Sequence, residues 1–136
     1  MKKSLLFLLV FLFSLPYQSQ AAKYERVYNV ENEIPSGLFQ LETVNNAIVK
    51  ALTFKRWRIN SQDEEAGVIL AQIAVRDKHF ASVEITYTTT NFSIKRLETK
   101  GLGYRPATGN IHRNYNKWVK LLEQQIIAEL SSPGLE

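Results

Sequence analysis

Apolar residues at Leu38, Leu41, Ile48 and Leu52, with Asn45 completing the series, recur at helical spacing and predict a helix of about four turns. Pro35-Ser36 offers an N-cap for it. Lys50, Lys55 and Arg56 fall at or just past its C-terminal end, where the helix dipole favours cations. The period then switches to two. Four short alternating segments follow, Trp57–Ser61, Val68–Arg76, Phe80–Tyr87 and Phe92–Leu97, which predict strands. Gly67 closes the first connection, and Asp77-Lys78 and Thr88-Thr89-Thr90 mark the next two turns. Glu98 to Asn110 carries three Gly and a Pro and reads as loop. A second helical stripe, Ile111, Tyr115, Trp118, Leu122, Ile126 and Leu130, predicts a last helix that Asn110 would cap and Pro133-Gly134 would follow. Tyr24–Val30 alternates weakly and fits either an edge strand or an ordered arm.

An α-β-β-β-β-α order with short connections implies an α+β domain, a four-stranded antiparallel meander with both helices on one face. Trp57, Ile59, Ile69, Ala71, Ile73, Val75, Ala81, Val83, Ile85, Tyr87, Phe92 and Ile94 are expected inside. Arg56, Arg58, Leu70, Gln72, Glu84, Thr86, Ser93 and Lys95 are expected on the open face. Matching the inward sets puts Ile73 opposite Val83 and Ile85 opposite Ile94. Arg56, Gln72, Glu84 and Lys95 would then form one polar row, with Glu84 and Lys95 as a cross-strand ion pair worth under about 1 kcal/mol.

The N-terminus changes the picture of where such a domain works. Lys2 and Lys3 precede an apolar run from Leu5 to Leu15; Pro16 follows, and then Ser19-Gln20-Ala21. That order is a secretory signal peptide, with cleavage expected after Ala21. The run is eleven residues, against the about 20 needed to span a bilayer. Residues 1–21 are thus read as a leader and 22–136 as a single domain, periplasmic or secreted, with no transmembrane segment after cleavage. The chain has no Cys. Lipid attachment at the junction, disulfides and thiolate metal sites are therefore excluded. Losing Lys2 and Lys3 lowers the formal charge from +4 to +2, which gives no case for nucleic acid.

That small net charge conceals a polarity. In the meander, the start of the first strand, the second turn and the end of the fourth strand share one end of the sheet. Arg56, Arg58, Arg76, Lys78, Lys95 and Arg96 would gather there, with Lys55 and Lys100, while Asp63, Glu64 and Glu65 take the opposite end. A basic end suits an anionic envelope component, such as a lipid headgroup or lipopolysaccharide phosphate, or an acidic protein. The plainer reading is that sheet ends are wet and collect charge regardless.

The densest cluster of polar and aromatic residues is GNIHRNYNKW, Gly109 to Trp118. A capped helix start explains it: Tyr115 and Trp118 face the sheet, and His112 and Asn116, one turn apart, bond each other or the preceding loop. The alternative is a small-ligand or enzyme pocket built from His79, Tyr104, Arg105, His112 and Asn116. No nucleophile elbow, HExxH motif or Gly-rich phosphate loop is present, and two His are not a convincing metal set. No catalytic residue, metal or cofactor is therefore assigned, and a binding module is the expected class.

Three pieces, AIVKAL…RWRI (Ala47 to Ile59), GVILAQIAVRDKHFASVEITY (Gly67 to Tyr87) and IHRNYNKWVKLLEQQI (Ile111 to Ile126), span most of residues 22–136. In them the chain resembles small exported bacterial proteins and lipoproteins with a helix–meander–helix domain. The resemblance implies that fold and an envelope address, and supplies no activity. Many such proteins carry a lipid-attachment Cys; this chain does not, so tethering is not carried over.

Overall fold

The computed structural model describes residues 22–34 and 39–131. The leader, the Pro35-Ser36 cap, Leu38 and Pro133-Gly134 lie outside the described residues. The elements, in order, are β1 (Tyr24–Arg26), β2 (Val30–Glu33), α1 (Leu41–Phe54), β3 (Arg58–Asp63), β4 (Val68–Val75), β5 (His79–Tyr87), β6 (Asn91–Lys100), β7 (Asn110–His112) and α2 (Arg113–Ser131). The class is α+β with antiparallel sheets, but the sheet is not a four-stranded meander. Five strands run in the order β2-β6-β5-β4-β3, and β1 and β7 form a separate pair.

The extra strands come from the N-terminal segment whose nature the alternation left open. β2 lies against the outer edge of β6, with Val30 opposite Ile94 and Asn32 opposite Phe92. Val30 and Ile34 enter the core. Asn32, between them on the same face, interrupts the apolar pattern that would have revealed a strand. Its amide instead donates to Glu123 Oε2 on α2 at 2.7 Å. β1 binds Asn110–His112, with Glu25 opposite Ile111. That pairing holds these residues extended, so the last helix starts at Arg113 and not at Ile111. Asn110 does not cap it. His112 does, its Nδ1 accepting from the Asn114 N–H at 3.1 Å.

The inward set is correct in face. Ile69, Ala71, Ala81, Val83, Ile85 and Ile94 are fully buried in one core with Val44, Ala47, Ile48, Ala51 and Leu52 of α1 and Tyr115, Val119, Leu122 and Ile126 of α2. Trp118, expected inside, is only half-buried at the margin, and Val119 takes its place.

Registers differ by two residues at one ladder. Ile73 faces Ala81, and Ala71 faces Val83, whereas Ile85 does face Ile94. A two-residue slip leaves every side chain on its own face, so hydrophobic matching is blind to it and the turn decides. Here Val75 pairs with His79 across a three-residue connection. The expected polar row breaks up in consequence: Gln72 lies between Arg58 and Ser82, and Glu84 between Leu70 and Lys95. Glu84 and Lys95 are opposite as expected but form no ion pair; among the described residues the pair that forms is Lys100 Nζ with Glu98 Oε1, at 3.7 Å.

α1 ends in a Schellman motif. Trp57 N–H bonds Leu52 C=O at 2.8 Å and Arg56 N–H bonds Thr53 C=O at 3.1 Å. Buried Trp57 and Leu52 supply the apolar contact that goes with it. Arg56 then occupies, at φ 64°, the left-handed position usually given to Gly.

Candidate binding surface at the basic end

The β4–β5 turn is the organising feature. Arg76 and Asp77 both have positive φ, 55° and 54°, and Lys78 N–H returns to Val75 C=O at 3.3 Å. This is the twist of a type I′ turn without the Asn-Gly that makes it easy. Gly101 presses against it: a Cβ there would sit 2.0 Å from the Lys78 carbonyl oxygen. His79 Nδ1 lies 2.9 Å from Gly101 O, and His112 N–H donates to Leu102 O at 2.8 Å. The turn, the end of β6 and the start of α2 are thereby tied together.

Four of the six basic residues expected at this end belong to it. Arg76 and Lys78 are in the turn; Arg58 opens β3 and Arg56 precedes it. All four side chains are exposed. Lys95 and Arg96 do not belong. β6 runs on to Lys100 instead of ending at Leu97, which leaves Lys95 and Arg96 mid-strand, opposite Glu84 and Val83. Lys95 instead borders a cleft with Glu31 and Glu33 of β2. Lys100 takes the end position, its Nζ 5.8 Å from the Phe80 ring centre.

Sequence reasoning missed the other half of the surface. Arg113 N–H bonds Lys23 O at 2.9 Å, so α2 begins against the N-terminal segment. Arg105 and Lys23 each lie over the Tyr24 ring, at 5.8 and 5.7 Å, and that ring stands edge-on to His112 with centroids 5.9 Å apart. The missing signal was the pairing of Tyr24–Arg26 with Asn110–His112, two three-residue strands too short to show periodicity. Two large apolar side chains are also exposed here: Tyr24 at 40% and Phe54, at the C-terminus of α1, at 66%. Lys55 lies over Phe54 at 5.4 Å.

The field of this cluster is felt at His112. Burial first, then the charges of Lys23, Arg113 and His79, hold its imidazole below the usual value. A neutral ring is what the cap requires, since Nδ1 must be free to accept. At the far end Asp63, Glu64 and Glu65 are exposed, with Asp63 Oδ1 accepting from Ala66 N–H at 3.0 Å. Burial, then Glu64 and Asp63, push the Tyr87 phenol up.

The five residues of the alternative pocket do not converge. Arg105 and His112 lie against the Tyr24 ring, while His79 is held on Gly101 O. Tyr104 turns to Arg96, whose guanidinium carbon is 3.4 Å from the ring centroid. Asn116 is 3% exposed and bonds neither His112 nor the 98–110 loop. It clamps the N-terminal segment, accepting from Tyr28 N–H at 2.8 Å and donating to Arg26 O at 2.8 Å and Glu25 Oε2 at 3.1 Å. Two helical turns on, Glu123 accepts from Tyr28 Oη at 3.0 Å as well as from Asn32. Burial and that carboxylate raise the Tyr28 phenol, which stays a donor. Among the described residues no group of three or more His, Cys, Asp and Glu is placed to hold a metal, and no helix is long and apolar enough to cross a membrane. No family model and no curated protein matches the chain.

Proposed function

We propose that the protein is an exported binding module of the cell envelope that docks its basic end on a phosphate-bearing anionic lipid surface. One observation carries the reading. Exposed cations from the N-terminal segment, the α1 terminus, the β4–β5 turn, the 101–109 loop and the α2 start share one end, outnumber Asp77 in their midst, form no ion pair among the described residues, and are interleaved with exposed Tyr24 and Phe54. Ring–cation pairs at a wet surface suit a headgroup layer better than an acidic protein face, because the rings enter the interface while the cations meet phosphate. The leader-like residues 1–21 supply the route to that compartment.

The net charge of +2 carried by residues 22–136 is no objection, since the full chain's +4 includes Lys2 and Lys3 of the leader-like segment. β5 spans nine residues, so the acidic loop lies about 25 Å from the turn, whereas the Debye length is about 8 Å at physiological salt. The ends act as separate fields. The test is co-sedimentation with vesicles of anionic or zwitterionic phospholipid at about 20 and about 300 mM salt. Binding to anionic vesicles alone, lost at high salt and lost in an Arg56→Gln/Arg76→Gln/Lys78→Gln variant, is the expected result. Equal binding to zwitterionic vesicles, or none at low salt, would refute the proposal.

A further inference from the structure

Arg96 occupies an unusual place. Opposite Val83, it shares the covered face of the sheet with Ile94, and the bulge that follows, with Glu98 opposite Ser82, leaves Leu97 unmatched. A guanidinium here ought to find a carboxylate. Among the described residues none pairs with it. It rests on the Tyr104 ring and donates to Thr99 Oγ1 at 3.3 Å. Its charge reaches the phenol of Tyr115, which is fully buried and has no hydrogen-bond partner among the described residues.

Beside it lies a cavity of about 290 Å³, lined by Arg26, Val27, Asn29, Arg96, Tyr104 and Gly109. Two arginines and a carboxamide face it, and no acid does. Its walls are fixed: Val27 N–H bonds Gly109 O at 2.8 Å, and Asn116 grips residues 26 and 28 from behind. Stacking on Tyr104 holds the Arg96 fork in one plane, so little rotamer freedom remains to be lost on binding.

We infer that this cavity is a binding site for a compact oxyanion, a phosphate group held by Arg96 and Arg26 with Asn29 donating. The chemistry is that of a planar fork on a tetrahedral anion: charge-assisted, bidentate and short. The site is distinct from the β4–β5 turn, where Arg76 and Lys78 are exposed; here Arg96 is half-buried and stacked on Tyr104.

Amide chemical-shift titration of the protein with inorganic phosphate, then with glycerol phosphate, tests it. Saturable shifts confined to residues 26–29, 96, 104 and 109 are expected from phosphate. Tighter saturation by glycerol phosphate would make the ligand a phosphate ester, and equal saturation free phosphate. Arg96→Lys keeps the charge but loses the fork and the stack, and should weaken binding about tenfold or more. Asn29→Ala, an exposed change that leaves the fold alone, should weaken it severalfold. Shifts that never saturate, that centre on residues 76–78, or that survive unchanged in both variants would overturn the assignment.

Discussion

Asn116 ties α2 to the N-terminal segment through a single carboxamide. With one amide it satisfies a backbone N–H and a backbone C=O of a segment 88 to 90 residues away. Asn116→Ala would take the partner from both part-buried groups, at up to about 1–3 kcal/mol each. The expected loss is about 3 kcal/mol, read as a lower urea midpoint at unchanged slope. Tyr115 is the opposite case. Its hydroxyl is buried without a partner among the described residues. Tyr115→Phe should therefore be neutral or stabilising, by up to about 1 kcal/mol; a clear loss would mean that the hydroxyl makes a bond the structure does not contain. His112 gives a pH dependence of definite sign. Its folded value lies below 6.5, so the unfolded chain takes up the proton first. Stability is full above that value and falls as pH drops through it towards the lowered folded one. His112→Asn keeps a cap and removes the titration, so its melting temperature should fall less between about pH 7 and pH 5 than that of the parent.

At the level of elements, strain and charge coincide. The three residues other than Gly with positive φ among those described are Arg56, Arg76 and Asp77, all at the basic end. Left-handed φ costs an ordinary residue about 1 kcal/mol relative to Gly. Arg56→Gly should accordingly stabilise the Schellman turn by about that much, and Asn-Gly in place of Arg76-Asp77 should do the same for the hairpin. Under the proposed function the Arg56→Gly gain comes with weaker vesicle binding, whereas the Asn-Gly exchange removes one cation and one anion and should leave binding nearly unchanged, a contrast that co-sedimentation of the two variants would expose. Gly101→Ala should go the other way, since its Cβ meets the Lys78 carbonyl and its φ is 72°. A loss of more than about 2 kcal/mol is expected. The same elements mark how far the sequence could be read. α1, β4 and β5 announce themselves because their inward positions are almost unbroken apolar series, while β3 shows itself only through Trp57 and Ile59 at its start. β2 does not, because Asn32 stands where an aliphatic would signal a strand and is satisfied by a glutamate 91 residues on. β1 and β7 are three residues each, below the length at which a period exists. Half the basic end was hidden for that reason. Arg105, Arg113 and Lys23 are ordinary surface cations until β1 pairs with β7.

For the whole molecule, polarity matters more than net charge, and the proposed docking follows from where the strands begin and end. One further property follows from the order in which the pieces are strung. The first strands of the chain are completed by its last elements: β1 by β7, β2 by β6, and Tyr28 and Asn32 by Glu123, 95 and 91 residues downstream. A polypeptide that emerges N-terminus first, from a ribosome or through a narrow pore, exposes these residues long before anything can receive them. α1 and the β3–β4–β5 hairpins can assemble locally as they appear, but the sheet stays open along β6 and the polar seam stays empty until α2 arrives. Closure over such sequence separations is slow, and the chain remains threadable until it is nearly complete. The topology thus acts as a timer: the domain locks only when its far end has arrived.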